Sequence, residues 1–202
     1  MARNGLACAP AEKHADITGA LICGGKSKRF GSDKRLYIFE GKRLFDLGFS
    51  KLGEVSDDVV AVFREGIPAE LKNYPAIYDN SKIEGPIAGL LAALAYTDRR
   101  YILSMPCDLP YLSTYFLRFL CGLKEEEKIV IPRTRGLEPL IGLYPRSIFQ
   151  RLSHYAQQGG RSLRQFMDEL AGDHKKLIRP AMWRKGGFSA SEFKNLNRPS
   201  PI

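Results

Sequence analysis

The segment Leu21-Ile22-Cys23-Gly24-Gly25-Lys26-Ser27-Lys28-Arg29-Phe30-Gly31-Ser32-Asp33-Lys34 constrains this chain more than any other. The run before and into it, Ile17-Thr18-Gly19-Ala20-Leu21-Ile22-Cys23, is almost wholly apolar and predicts a short buried first strand. Gly24 and Gly25 then permit positive φ and a close approach of backbone to a ligand, and Gly31 offers a second flexible point. Lys26, Lys28, Arg29, Lys34 and Arg35 crowd this turn, with Asp33 the lone acid among them. A strand that runs into a glycine turn and exposes backbone N–H groups among cations suits an anionic phosphate chain. Two familiar phosphate motifs do not apply. The P-loop spacing needs glycine where Ala20 stands, and the dinucleotide fingerprint needs it where Lys26 stands.

The rest of the chain alternates strand and helix signals. Leu36 to Phe39 and the following Glu40-Gly41-Lys42 suggest a small hairpin or excursion. Leu44 to Leu52 has apolar residues at helical spacing, and Asp58-Val59-Val60-Ala61-Val62-Phe63 reads as a strand buried on both faces. Ala76-Ile77-Tyr78-Asp79 predicts a short third strand, and the helix after it starts at Pro86. Tyr101 to Met105 is the fourth strand and runs into Pro106-Cys107-Asp108-Leu109-Pro110. A helix is expected over residues 115–123, strands over 128–132 and 139–144, and a helix over 147–157 that stops at Gly159-Gly160. Ser162 suits the N-cap of a last helix, through about Leu170. This order predicts a three-layer α/β/α sandwich with a mostly parallel, Rossmann-like sheet. In such folds ligands sit beyond the carboxyl ends of the strands, so the glycine turn and Asp108 are expected at one sheet edge.

Bulk properties narrow the function classes. A chain of 202 residues with 44% hydrophobic and 26% charged residues fits a single globular domain, here read as residues 16–202 after a flexible extension over 1–15. That extension holds Arg3 but no continuous apolar core, so it does not read as a signal peptide. No apolar run approaches the ~20 residues that span a membrane. The net charge of +9 attracts polyanions, whether a nucleoside triphosphate with a phosphorylated co-substrate or RNA. The aromatic residues lie in apolar runs rather than on a basic stacking surface, which favours the small molecules and no nucleic acid. Cys8, Cys23, Cys107 and Cys121 form no metal or redox spacing and fit a reducing cytoplasm. Asp108, held between two prolines at a strand end, has the chemistry to bind a hard cation; a turn or N-cap aspartate is the structural alternative.

The run from Gly24 to Lys34 resembles the signature of the molybdenum cofactor guanylyltransferases: a strand, then Gly-Gly-x-Ser-x-Arg-(Met or Phe)-Gly-x-Asp-Lys, with every fixed position filled. Four further runs carry the resemblance. They are Asp79 followed by Gly85-Pro86-Ile87-Ala88-Gly89, Pro106-Cys107-Asp108-Leu109-Pro110, Pro139-Leu140-Ile141-Gly142-Leu143, and Asn195-Leu196-Asn197-Arg198-Pro199. Arg161, before the last helix, is similar to a basic position of the family. The resemblance implies the nucleotide-diphospho-sugar transferase type of fold and a GMP transfer from GTP to the phosphate of molybdopterin. It implies nucleotide contacts from Leu21, Cys23, Gly24, Gly25, Ser27, Arg29, Lys34, Asp79, Gly85 and Asp108. It also implies a Mg²⁺ on Asp108 and pterin contacts from Arg161, Asn195 and Asn197.

On this reading Arg29, Lys34 and Asp108 are the catalytic groups. Gly24, Gly25 and Ser27 cradle the triphosphate, Arg29 meets its outer phosphates, and Lys34 offsets charge near the α-phosphate. An attacking phosphate is already anionic, so no general base is needed. His14, His154 and His174 all lie away from these motifs. The resemblance further allows transient contact with proteins that deliver or accept the cofactor. Rival readings are a cytidylyl- or sugar-phosphate nucleotidyltransferase on the same fold, and a non-catalytic nucleotide-binding relative.

Overall fold

Successive residues of the central strands point to opposite faces, and both faces are buried. That pattern requires helices on each side of the sheet. In a computed structural model, which describes residues 12–24, 33–79 and 82–196, the chain meets this requirement. Strand β1 (Ile17–Ile22) is buried at all its positions, and the next described element is a 3₁₀ turn at Lys34–Leu36. A hairpin of β2 (Ile38–Phe39) and β3 (Lys42–Arg43) follows. It turns through Glu40 at φ 49° and Gly41 at φ 80°, the left-handed pair that a two-residue hairpin demands. Then come α1 (Leu44–Gly53), β4 (Asp58–Phe63), β5 (Ala76–Tyr78), α2 (Ile87–Tyr96), β6 (Tyr101–Pro106) and α3 (Thr114–Gly122). The chain continues with β7 (Ile129–Pro132), β8 (Gly142–Pro145), α4 (Phe149–Gln157) and α5 (Leu163–Glu169). It ends in β9 (Lys175–Ile178) and α6 (Pro180–Lys185).

The sheet order is β5-β4-β1-β6-β8-β7-β9. β8 pairs antiparallel with both its neighbours, while the other pairings are parallel. Ile17, Leu21 and Phe63 pack with Phe45 and Leu52 of α1, Phe116 and Leu120 of α3, and Trp183 of α6. Ala20, Ile22, Val60 and Val62 face the other way, onto Leu90 and Leu94 of α2, Leu152 of α4 and Phe166 of α5. Glycines permit the close helix–sheet contacts: a methyl on Gly48 of α1 would meet Leu21 Cδ1 at 2.6 Å. The three-layer sandwich is therefore as expected from the alternation of elements.

Two features differ from the sequence reading. The strand expected over residues 139–144 begins only at Gly142. Pro139 has no N–H to give a ladder, and the chain before the strand is a turn closed by Ile141 N–H donating to Glu138 O at 2.9 Å. Strand β9 and helix α6 carry no clear apolar run. Lys175 and Lys176 disguise β9 because it is an edge strand, where charged side chains prevent further pairing. Their ammonium groups are used internally, Lys175 donating to Leu170 O at 2.7 Å and Lys176 pairing with Glu125 at 2.6 Å. Within the expected extension, His14 N–H donates to Val55 O at 2.9 Å and Lys13 pairs with Asp57 at 3.0 Å.

Phe45 anchors α1 to the sheet. It is fully buried, with ring centroids 4.8 Å from Tyr74, 5.7 Å from Phe49 and 6.0 Å from Phe63. Phe45→Ala is expected to cost about 3–5 kcal/mol of stability in urea denaturation, the range for truncating a buried aromatic side chain.

Candidate active site

β1 is the first strand laid down, and its neighbours β4 and β6 lie on either side of it. Strand order reverses there, which opens a crevice beyond the carboxyl ends. Three backbone bonds fix those ends. Cys107 N–H donates to Ile22 O at 3.2 Å, Cys23 N–H to Val62 O at 2.8 Å, and Asp79 N–H to Phe63 O at 2.8 Å. Gly24, Asp108, Arg64 and Asp79 thus leave four adjacent strands at one edge, as the sequence led us to expect for Gly24 and Asp108.

Lys34 joins them from the 3₁₀ turn. Its Nζ donates to Asp108 Oδ2 at 3.0 Å, with 15% of the lysine and 24% of the aspartate side chain exposed. The turn is held by Asp33, which caps it by accepting from Arg35 N–H at 3.0 Å and binds the Arg35 guanidinium through both carboxylate oxygens. That guanidinium keeps the Asp33 carboxyl below its ordinary value. Arg35 also lies over the Phe63 ring at 5.2 Å, so it is engaged in the structure rather than in the phosphate cradle. On the far side, Leu196 N–H donates to Asp108 O at 3.0 Å and straps the C-terminal segment to the site. Glu192 secures that strap by accepting from Ser113 N–H at 2.7 Å at the start of α3.

The donor set at Asp108 fits a hard divalent cation. Among the described residues, no three acidic, histidine or cysteine side chains gather into a metal cluster. An ion there would rest on the Asp108 carboxylate and oxygens of the nucleotide, the arrangement Mg²⁺ favours.

Asp79 stands at the other end of the crevice. Its side chain is 4% exposed, and its Oδ1 has no hydrogen-bond partner among the described residues. Its Oδ2 lies 3.7 Å from Arg64 Nη1, which itself donates to Ile83 O at 2.9 Å. Burial raises the Asp79 carboxyl above its ordinary value, and the Arg64 charge acts against that rise. Gly85 has φ 83°, and a methyl there would sit 2.9 Å from Arg161 O, so only glycine lets the entrance to α2 pack on the segment before α5. Arg161 pairs with Glu84 at 2.6 Å. A cleft of about 430 Å³ opens between these segments and β6, lined by Pro86, Pro106, Glu138, Arg161, Arg164 and Asn195 among others.

The structure thus brings together Gly24, Lys34, Asp79 and Asp108 on one side and Gly85, Arg161 and Asn195 on the other. Leu21 and Cys23 have side chains buried in the core. Burial pushes the Cys23 thiol up, as does its contact with Cys107, and burial is the largest cause that pushes Cys121 up to about 12, so neither is a ready nucleophile. Gly25, Ser27, Arg29 and Asn197 lie outside the described residues. The sequence reading passed over Arg64 as a loop residue. The available signal was its position directly after a doubly buried strand, where side chains emerge at the ligand edge.

Comparison with known proteins agrees with this geometry. Residues 19–175 match the MobA-like NTP transferase domain. The chain belongs to that family. It is 30% identical over 190 residues to a molybdenum cofactor guanylyltransferase of Yersinia pestis, covering 92% of each chain. It is 27% identical over 201 residues to a probable molybdenum cofactor guanylyltransferase of Halalkalibacterium halodurans, covering 94% of this chain and 97% of that one. Among solved structures it resembles molybdopterin-guanine dinucleotide biosynthesis protein A from Archaeoglobus fulgidus, with TM-score 0.76 and 26% identity over 90% of this chain and 93% of that one. A MobA-like chain is a nucleotidyltransferase.

The buried Asp79 carboxylate should tax the stability of this MobA-like fold. A carboxyl whose folded value is raised loses stability as pH climbs from about 4, its ordinary value, through the raised one. Asp79→Asn removes that cost. Thermal unfolding should give Asp79→Asn a Tm above wild type at pH 7, with the gap closing as pH falls towards about 4.

Proposed function

We propose that this chain transfers GMP from GTP to the terminal phosphate of molybdopterin and releases pyrophosphate. The observation that supports it most is the Lys34–Asp108 pair at the β1–β6 edge, on a chain whose relatives named above match it over nearly its whole length. A phosphate oxygen of the acceptor attacks the α-phosphorus of GTP, the bond to the bridging α–β oxygen breaks, and charge collects on the leaving pyrophosphate. The demand is for position and charge neutralisation, not for a base.

The groups divide that work. The Gly24-Gly25 turn and Ser27 cradle the phosphates, and Arg29 meets the outer ones. Lys34 stands beside the carboxylate that the triphosphate must approach, where its ammonium offsets charge at the α-phosphate. Asp108 would hold a divalent cation, which we take to be Mg²⁺ and which would supply charge neutralisation at the triphosphate. The buried Oδ1 of Asp79 is an acceptor in search of a donor, and guanine carries donors on its Watson–Crick edge. The cleft by Arg161 and Asn195 would take the anionic pterin, with Asn197 a further contact by resemblance to the family. Among the described residues no helix is long and apolar enough to cross a membrane, and we place the reaction in the cytoplasm with small-molecule substrates rather than nucleic acid.

Incubation with GTP, Mg²⁺ and molybdopterin should yield the guanine dinucleotide and pyrophosphate. Asp108→Ala should lower the rate by at least ~10²-fold, the scale for loss of one electrostatic group at a transition state. Tight calorimetric binding of CTP without GTP, or full activity in Asp108→Ala, would contradict the proposal.

A further inference from the structure

Arg64 has no role in the chemistry above, yet it sits among groups that do. It is the first residue beyond β4, next to the end of β1. A methyl on Gly24 would lie 3.9 Å from Arg64 Cβ and 4.0 Å from Asp79 Oδ2, so Gly24 lies against this pair. Its guanidinium lies 3.7 Å from Asp79 Oδ2 and donates to Ile83 O at 2.9 Å.

We propose that Arg64 is a positioning residue of the nucleoside subsite, which orients the Asp79 carboxylate so that Oδ1 faces the donors of the bound nucleotide. The proposal rests on the reading of Asp79 as a nucleotide contact. Geometry supports it in three ways. Asp79 is almost wholly buried, so a misplaced carboxylate has no solvent to turn to. Arg64 engages one carboxylate oxygen and leaves the other without a partner among the described residues. The bond to Ile83 O ties the same guanidinium to the segment that enters the Gly85 turn, so one side chain sets the spacing between Asp79 and the α2 entrance. The Arg64 charge also opposes the burial penalty on Asp79, which favours the carboxylate as a hydrogen-bond acceptor.

The test is a double-mutant cycle read by GTP calorimetry with Mg²⁺ on Arg64→Ala, Asp79→Asn and the double variant. Arg64→Gln serves as a control that keeps a donor for Ile83 O but removes the charge. Arg64→Ala is expected to weaken GTP about tenfold or more, and the double variant to bind no worse than about twofold below Asp79→Asn, because the two side chains act as a unit. In turnover, the Arg64 variants should raise KM for GTP while kcat stays within about threefold, since the group acts on binding of the nucleoside. Arg64→Gln should weaken GTP nearly as much as Arg64→Ala. Wild-type affinity in the Arg64 variants, or fully multiplicative losses in the cycle, would overturn the proposal. Should Arg64→Ala fail to fold, the cycle is run with Arg64→Gln. If wild type binds CTP or ATP in place of GTP, the guanylyl reading fails, and the cycle is read on the triphosphate that binds.

Discussion

The parallel pairing of β1 with β6, in register from Ile17↔Tyr101 to Ile22↔Pro106, is the constraint on which the site depends. It sets the ends of the two strands, and with them Gly24 and Asp108, at one edge of the sheet. Because β4 pairs with the opposite edge of β1, Arg64 and, through β5, Asp79 arrive at the same height. Cations and carboxylates that are far apart in the chain are thus delivered to one line by backbone hydrogen bonds. Lys34 then reaches Asp108 from a turn that Asp33 and Arg35 hold rigid.

That arrangement carries a cost which the rest of the fold must offset. Asp79 is a carboxylate with a buried side chain and one oxygen unpartnered among the described residues, and the sheet holds its backbone while Arg64 stands close. Such a group destabilises the empty protein and becomes useful only when a ligand supplies the missing donor. The two hydrophobic layers provide the rigidity that keeps it in place. Trp183, buried and donating from Nε1 to Arg133 O, fastens α6 to the sheet. The segment after it carries Glu192 and Leu196 back to α3 and to Asp108. The C-terminal segment is therefore part of the wall around Asp108.

Much of this was legible in the sequence because the relevant signals are local. The doubly apolar strands announced a covered parallel sheet, and Glu40-Gly41 announced a hairpin. Pro106 and Leu109-Pro110 marked Asp108 as a fixed side chain. The parts that were not legible depend on partners distant in the chain. β9 hides its strand character behind lysines that pair with Glu125 and with the end of α5. The reversed direction of β8 follows from how the chain returns to the sheet, which no local pattern encodes. Arg64 reads as a loop cation until β5 places Asp79 beside it. Arg35 reads only as one of the cations crowding the glycine turn, and the structure shows it held by Asp33 and Phe63.

The central claim is that the triphosphate lies across the ends of β1 and β6 with its metal on Asp108. It is tested most directly by a crystal structure with Mn²⁺ and a non-hydrolysable GTP analogue, with the metal located by anomalous scattering. The account predicts a metal peak at the Asp108 carboxylate, Lys34 Nζ turned towards the α-phosphate, and the nucleoside beside Asp79. Phosphates bound away from the β1 and β6 ends, or a metal with no contact to Asp108, would contradict it.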